Sequence, residues 1–464
     1  MNKRNQYYLT ALVLVVTFLV FLPALRNDFV NWDDFDYAYD NYHIRSLSWD
    51  FLAWAFTDTS HAGFWYPLVW ISHALDYAIW GLNPFGHHLT STILHAVNAF
   101  LVTLLIIRLL EAYYAAVKCP VPAGGRETAP SRSRSDRTIL ITAGVTGLLF
   151  GIHPLHVESV AWVSERKDLL CAFFFLLSLI AYIDYARFPK MTPVQRGMWA
   201  CFSDKRYNLS LVLFMLALSC KAMAVTLPAV LLVLDWHPLG RWSDRHAFIR
   251  SCAEKAPFAL FSLIITLVSL AGQKAFGALG QMESVGIGTR MLVSGKALML
   301  YLGKMVVPVD LVPFYPYPIN VSAAPFSYLV AMALAGLVTA ICLYLANTQR
   351  WWLSVWGYYV VTVLPVIGIV PIGTHFMADR YTYLPSLGPF LVAGLAAGWI
   401  WAKVSLKQYG LAGKGAALAA ALSIVIVLSV LTIEQIGVWK NSIVFWNSLF
   451  RIGDKIGIGA AVAR

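Results

Sequence analysis

Apolar runs recur along this chain near residues 8–25, 89–110, 138–152, 169–186, 208–219, 222–235, 256–272, 325–346, 352–371, 383–402 and 416–434. Runs of this kind predict eleven helices crossing a bilayer, several of them short. One further stretch, 292–308 ("LVSGKALMLYLGKMVVP"), carries Lys296 and Lys304 in its interior and is kept apart from the eleven. Basic residues collect in short segments at 118–137, 187–206, 241–255, 349–350 and 403–414. Such segments face the cytoplasm, and with 292–308 excluded they all fall on one side. An inside amino terminus and an odd count then place the carboxyl terminus outside, together with four polar stretches: 26–88, 153–168, 273–324 and 372–382. The first run follows Lys3 and Arg4 and ends without a small-residue cleavage site, which predicts a retained anchor.

Composition sharpens this reading. With 59% hydrophobic and only 13% charged residues over 464 positions, the chain lies far outside the soluble range. The expected fold class is an all-α polytopic membrane protein, with interfacial helices in its extracytoplasmic loops. The formal charge of +11 sits mainly in the loops between apolar runs, where it sets orientation and does not point to nucleic acid. Six scattered cysteines without a CxxC pair predict neither a disulfide framework nor a thiolate metal site.

The polar stretches hold the unusual chemistry. "NWDDFDYAYD" places Asp33, Asp34, Asp36 and Asp40 directly beyond the first span, and a Trp- and Tyr-rich segment that reads as interfacial helices follows. The second stretch is "HPLHVESVAWVSERKDLL", the third contains Lys274, Arg290, Lys296, Lys304 and "PFYPYP", and the fourth is "GTHFMADRYTYLP". Acidic and cationic groups thus meet at one membrane face, as expected of a site handling an anionic, lipid-borne substrate.

The WDD triplet, "YPLVWISHALDYAIWGLNPFGHHLTSTILHAVNA", "HPLHVESVAWVSERKDLL" and "MADRYTYLPSLG" together resemble the membrane module of the C-type (GT-C) glycosyltransferases. The likeness is to bacterial relatives of the transmembrane and tetratricopeptide-repeat O-mannosyltransferases, and it covers nearly the whole chain with the blocks in the family's order. It implies a GT-C module over residues 1–435 in the bacterial inner membrane, with its active site facing the periplasm. It also implies a sugar donor carried on polyprenyl phosphate, with no nucleotide sugar and no metal cofactor. The tail, 436–464, is similar to the lead-in to a repeat domain. No 34-residue period is present, so acceptor recognition is expected from a partner or from the membrane module itself.

Sugar transfer to a hydroxyl needs a base, and a desolvated carboxylate suits that role. Asp33 and Asp34 are the candidates, Asp34 slightly favoured, with Glu158 as a second carboxylate of the site. The bland alternative is that the acidic run only caps an interfacial helix. The leaving phosphate needs fixed cations, for which Arg380, Lys296 and Lys304 are chosen, with Arg166 second. Against this, the lysines would merely snorkel at the bilayer edge, and Arg380 would pair internally. His153, His156 and Glu158, with His375 and the His87-His88 pair, would furnish a zinc set. The HxxH spacing is weak, however, and the likeness implies metal-free chemistry. His153, His156, His375, Tyr381 and Trp32 are therefore expected to contact sugar or acceptor.

The expected activity is transfer to a protein hydroxyl, with a lipid or cell-surface glycan as the second choice of acceptor. A lipid-linked-sugar transporter or flippase is the competing reading. It would show ionisable residues in mid-span and inverted internal symmetry, and only Lys221, near a hairpin tip, fits. A non-catalytic scaffold fits poorly with WDD, Glu158 and Arg380 occurring together.

Overall fold

The computed structural model describes residues 2–59, 61–117, 132–187, 200–275, 286–317, 326–369, 375–405 and 410–455. The basic stretches 118–131, 188–199 and 406–409, the loop pieces 276–285, 318–325 and 370–374, and the tail 456–464 lie outside the described residues. The helices are α1 (Lys3–Phe21), α2 (Trp49–Thr57), α3 (Pro67–Trp80), α4 (Pro84–Val117), α5 (Arg132–Ile152), α6 (Val157–Ala161), α7 (Arg166–Arg187) and α8 (Lys205–Leu218). After them come α9 (Leu227–Trp236), α10 (Arg245–Ala275), α11 (Ile287–Val306), α12 (Phe326–Leu345), α13 (Arg350–Val363), α14 (Leu387–Val404), α15 (Gly410–Val438) and α16 (Ser442–Lys455). A two-stranded antiparallel ladder pairs β1 (Tyr315–Pro316) with β2 (His375–Met377).

Each of the eleven apolar runs is helical over most of its described length, although not every helix is long enough by itself to cross a bilayer. Among the described residues seven helices are long and apolar enough to cross a membrane, or eight if the pair Asp136–Ile152 and Pro154–Ala161, bent by 51°, is one span. The other three runs form α8, α9 and α13, with 14, 10 and 14 residues, which still carry the chain from one end of the bundle towards the other. At about 1.5 Å per residue they reach roughly 15–21 Å, against a hydrocarbon core of about 30 Å. For α8 and α9 the reason is visible: both stop at the turn holding Lys221, which is drawn into a buried ion cluster. The 292–308 stretch lies in α11, which is not among the seven.

Close backbone approach holds the centre of the bundle. A Cβ on Gly394 would stand 2.3 Å from Thr146 Oγ1 and 2.6 Å from the Thr142 carbonyl, and one on Gly398 would stand 2.5 Å from Thr142 Oγ1. Gly147 and Gly151 meet Thr103 and Thr17 just as closely. Two glycine pairs four residues apart thus seat α5 against α1 and α4 on one side and α14 on the other, the small-residue packing available where lipid removes the hydrophobic drive.

The bundle has two chemically distinct ends. At one end Gln6 donates to Glu111, Arg187 pairs with Glu111 at 3.2 Å, and Arg206 donates to the Asp184 carbonyl. The same end holds a buried network in which Arg241 joins Asp235 at 3.0 Å to Glu254 at 2.8 Å, with Lys255 and Tyr182 also on Asp235. The polar stretches gather at the opposite end. There the first loop is tied to the carboxyl-terminal helices: the Asp28 N–H donates to the Lys440 carbonyl, Asn27 to the Ile436 carbonyl, and the Asn31 N–H to Ser442. Phe445 and Leu449 of α16 are buried there, so residues 436–455 pack as part of the bundle.

Candidate active site

The WDD triplet sits in a tight turn between α1 and α2, and its two carboxylates have opposite fates. Asp34 is fully buried and takes two backbone donors, the Val30 N–H at 2.9 Å and the Ser164 N–H at 2.8 Å. It staples the first loop to the second, and burial pushes its carboxyl up to about 7 in spite of those donors. Asp33 is half-buried, and among the described residues its carboxylate has neither a hydrogen bond nor an ion pair. Burial pushes it above the ordinary carboxylate range, Lys167 and Arg380 pull it back, and Glu165 and Asp36 add to the rise. The slight preference for Asp34 is therefore reversed: Asp33 is the carboxylate left free to accept a proton. Asp36 and Asp40 are exposed.

Pro154 interrupts the helix after His153, and the resulting bend delivers Glu158 and then Glu165 into the site. Glu158 accepts from the Arg380 backbone N–H at 2.8 Å and from Nη1 at 2.5 Å. Arg380 Nη1 also donates to the Pro313 carbonyl, and Nε lies 3.2 Å from Glu165. Its remaining arm, Nη2, reaches only His375 Nε2 at 3.5 Å, too long for a good bond. The guanidinium is thus fixed in position with one fork arm open. Arg380 pairs with Glu158 and Glu165, while its neighbour Asp379 accepts from Tyr315 and is pushed by burial up to about 6.

Glu165 is the hub. Besides Arg380 it holds Lys167 at 3.1 Å and Lys221 at 3.2 Å, and Lys221 continues to Asp168 at 2.6 Å. Lys167 lies over the Tyr37 ring, and Arg380 over Trp162 and Tyr381. Glu165, Lys167, Asp168 and Lys221 were not foreseen as site residues. The signal was present: "ERKD" puts four charges at the head of an apolar helix, and Lys221 is a lone cation between two apolar runs.

The structure brings some of the expected residues to this cluster and leaves others away from it. His375 and Tyr381 stand at its edge, with Nε2 2.7 Å from the Tyr381 hydroxyl. Burial and then Arg380 hold the His375 imidazole down at about 3, hence neutral. Trp32 stacks on Trp446 of α16 and packs against Trp162 and Phe314, forming an aromatic wall beside Asp33. His153 and His156 do not face the site. His153 spends its ring nitrogens on the Met305 carbonyl and the Leu155 N–H, and His156 on the Phe150 carbonyl and Ser386. Both are helix-bend packing residues, so their expected sugar contacts are corrected. Arg166 is fully buried in a separate group, 2.5 Å from Asp76 and donating to the His87 carbonyl and Ser91. Lys296 lies over the Tyr328 ring between α11 and α12. Lys304 donates to the carbonyls of Val309 and Asp310 and fixes the turn before β1. Arg166 and Lys296 are engaged elsewhere, Lys304 stands behind Asp379 and pulls its carboxyl down, and Lys167 and Lys221 are the lysines that share Glu165 with Arg380. Among the described residues no group of three or more His, Cys, Asp or Glu could hold a metal ion.

No protein-family model matches the chain. Among characterised proteins it is similar to protein O-mannosyl-transferase Tmtc2 of Drosophila melanogaster, 28% identical over 247 residues, which are 51% of this chain and 22% of that protein. Human protein O-mannosyl-transferase TMTC4 is 26% identical over 299 residues, 62% of this chain and 35% of its own length. Drosophila Tmtc1, also a protein O-mannosyl-transferase, is 30% identical over 177 residues, 38% and 16% of the two chains. The aligned regions thus span roughly a sixth to a third of these relatives.

Proposed function

We propose that this multi-pass membrane protein is a GT-C-type glycosyltransferase that moves a sugar, mannose-like, from a polyprenyl-phosphate donor to a protein hydroxyl at the membrane face opposite the basic loops. The observation that carries the reading is an unpartnered carboxylate, Asp33, next to an immobilised cation cluster made by Arg380, Lys167 and Lys221 around Glu165. Similarity to named O-mannosyl-transferases supports the reaction class.

In this mechanism the donor phosphate meets the open Nη2 arm of Arg380 and the Lys167 ammonium, whose positions Glu158 and Glu165 fix in advance. The acceptor hydroxyl gives its proton to Asp33 as its oxygen attacks the anomeric carbon. The bond from that carbon to the phosphate oxygen breaks, and the electron pair leaves with the polyprenyl phosphate. A single displacement inverts the anomeric centre. The aromatic wall of Trp32 and Trp446, with Tyr381 and His375, flanks the space where sugar and acceptor would meet. The test is transfer from radiolabelled polyprenyl-phosphate mannose to a serine- and threonine-containing protein acceptor by purified protein. Label on the acceptor, lost in Asp33→Asn, is expected. Donor turnover that is absent, or that proceeds undiminished in Asp33→Asn, would refute the reading.

A further inference from the structure

A cavity of about 540 Å³ lies between α4, α9, α13 and α14, remote from the carboxylate and cation cluster. Its walls are aliphatic and aromatic, and along α14 they run from Leu387 to Trp399. Twelve rises of about 1.5 Å make this roughly 18 Å long, the shape of a slot for an extended hydrocarbon chain. The two ends differ. The inner end is lined by Leu387 and Gly388, immediately after the Ser386 that holds His156. The outer end lies at the basic-loop face and is ringed by Trp351, Trp352 and Trp399, the residue type that marks a membrane interface.

Two cations stand at that outer end. Arg350 is exposed, begins α13 directly before Trp351, and is close enough for its charge to act on His237 in the cavity wall. Lys403 is exposed and lies 5.6 Å from the centre of the Trp399 ring. Among the described residues neither has a carboxylate partner, whereas Arg187, Arg206 and Arg241 at the same end are all paired. An apolar slot ending in two unpaired cations at the interface level has the complementarity of one phospholipid, with a chain inside and a phosphate outside.

We propose that this cavity is a binding site for a single anionic phospholipid of the leaflet at the basic-loop face, with one acyl chain between α4, α9, α13 and α14 and its phosphate on Arg350 and Lys403. The two unpaired cations lie at the basic-loop end, away from Arg380, which favours a lipid of that leaflet over a polyprenyl tail whose phosphate sits at Arg380. The inference does not depend on the reaction proposed above. A bound chain would brace the segment after Arg380 from below, since Tyr358 lines the cavity and donates to the Leu384 carbonyl.

The test is native mass spectrometry of the protein released from nanodiscs containing phosphatidylglycerol and phosphatidylcholine. One phosphatidylglycerol per chain should be retained. Ala396→Trp, which puts an indole into the slot, should lose it, while Ala393→Trp, on the same helix but outside the lining, should keep it. Arg350→Glu with Lys403→Glu changes exposed residues only and should lower retention about thirtyfold, the factor for two lost headgroup contacts. No retained lipid in the parent, a retained mass equal to polyprenyl phosphate, or equal phosphatidylglycerol retention in the Ala396→Trp and charge-reversed variants would each overturn the proposal.

Discussion

Asp33→Asn and Asp34→Asn should fail in opposite ways, although the two residues are adjacent. Asp34 uses both carboxylate oxygens, one on the Val30 N–H and one on the Ser164 N–H. Asparagine keeps one acceptor oxygen and turns an NH₂ towards the other backbone donor. A buried N–H is then orphaned, costing about 1–3 kcal/mol, and the link from the first loop to the 163–165 turn is cut. Asp34→Asn should therefore lower the melting temperature in detergent and leave the folded fraction with much of its turnover. Asp33 has no partner to lose, so Asp33→Asn should melt like the parent. Its turnover should fall about a hundred- to ten-thousand-fold, the range for a missing general base. Both variants would be followed by thermal unfolding and by donor-saturated transfer on the same preparation. The reasoning is refuted if Asp34→Asn is as stable as the parent while Asp33→Asn turns over at the parental rate.

Three further outcomes follow from the same geometry. Arg380→Lys keeps a charge but cannot serve Glu158 and Glu165 together, so donor affinity should drop; Arg380→Ala strands the buried Glu158, at about 3–5 kcal/mol, and should lose both transfer and thermal stability. Asp33 must be ionised to act, and its raised pKa places the acid limb of the pH–rate profile above 3.8. Lys167 holds that pKa down, so Lys167→Met should move the limb upward, and an unmoved limb would remove Asp33 as the base. Reporters fused after Arg134 or Lys407 should be active on one side of the membrane and those fused after Ala62 on the other; activity of all three on one side would refute the arrangement of basic loops and site.

Much of the architecture could be read from hydropathy, because a helix buried in lipid must satisfy its backbone internally and shows its length in the chain. Helices shorter than a bilayer could not be told from full-length ones. The end of α8 is set by Lys221 reaching Glu165 and Asp168, 56 and 53 residues away. The site divided along the same line. Carboxylates beside a span stand out because they are costly there, and Arg380 stood out with them. Which aspartate is free depends on the Ser164 N–H, 130 residues from Asp34. His153 and His156 spend their rings inside the fold, on the Met305 and Phe150 carbonyls, which their spacing in the chain does not reveal. Lys296 and Lys304 misled because charge in an amphipathic helix does not reveal whether a ring, a carbonyl or a substrate receives it.

The stacking of Trp446 on Trp32 makes α16 a mechanical extension of the catalytic turn. Trp32 is bonded to Asp33, and the Asn31 N–H is held by Ser442 at the start of the same helix. A pull or twist applied to α16 would act on the Asp33 backbone through the contacts of Trp32 with Phe445 and Trp446 and one hydrogen bond, with no intervening hinge. Whatever engages the far end of that helix, near Lys455, has a short lever on the angle at which the base meets an incoming hydroxyl. Force, as well as chemistry, could then set the rate.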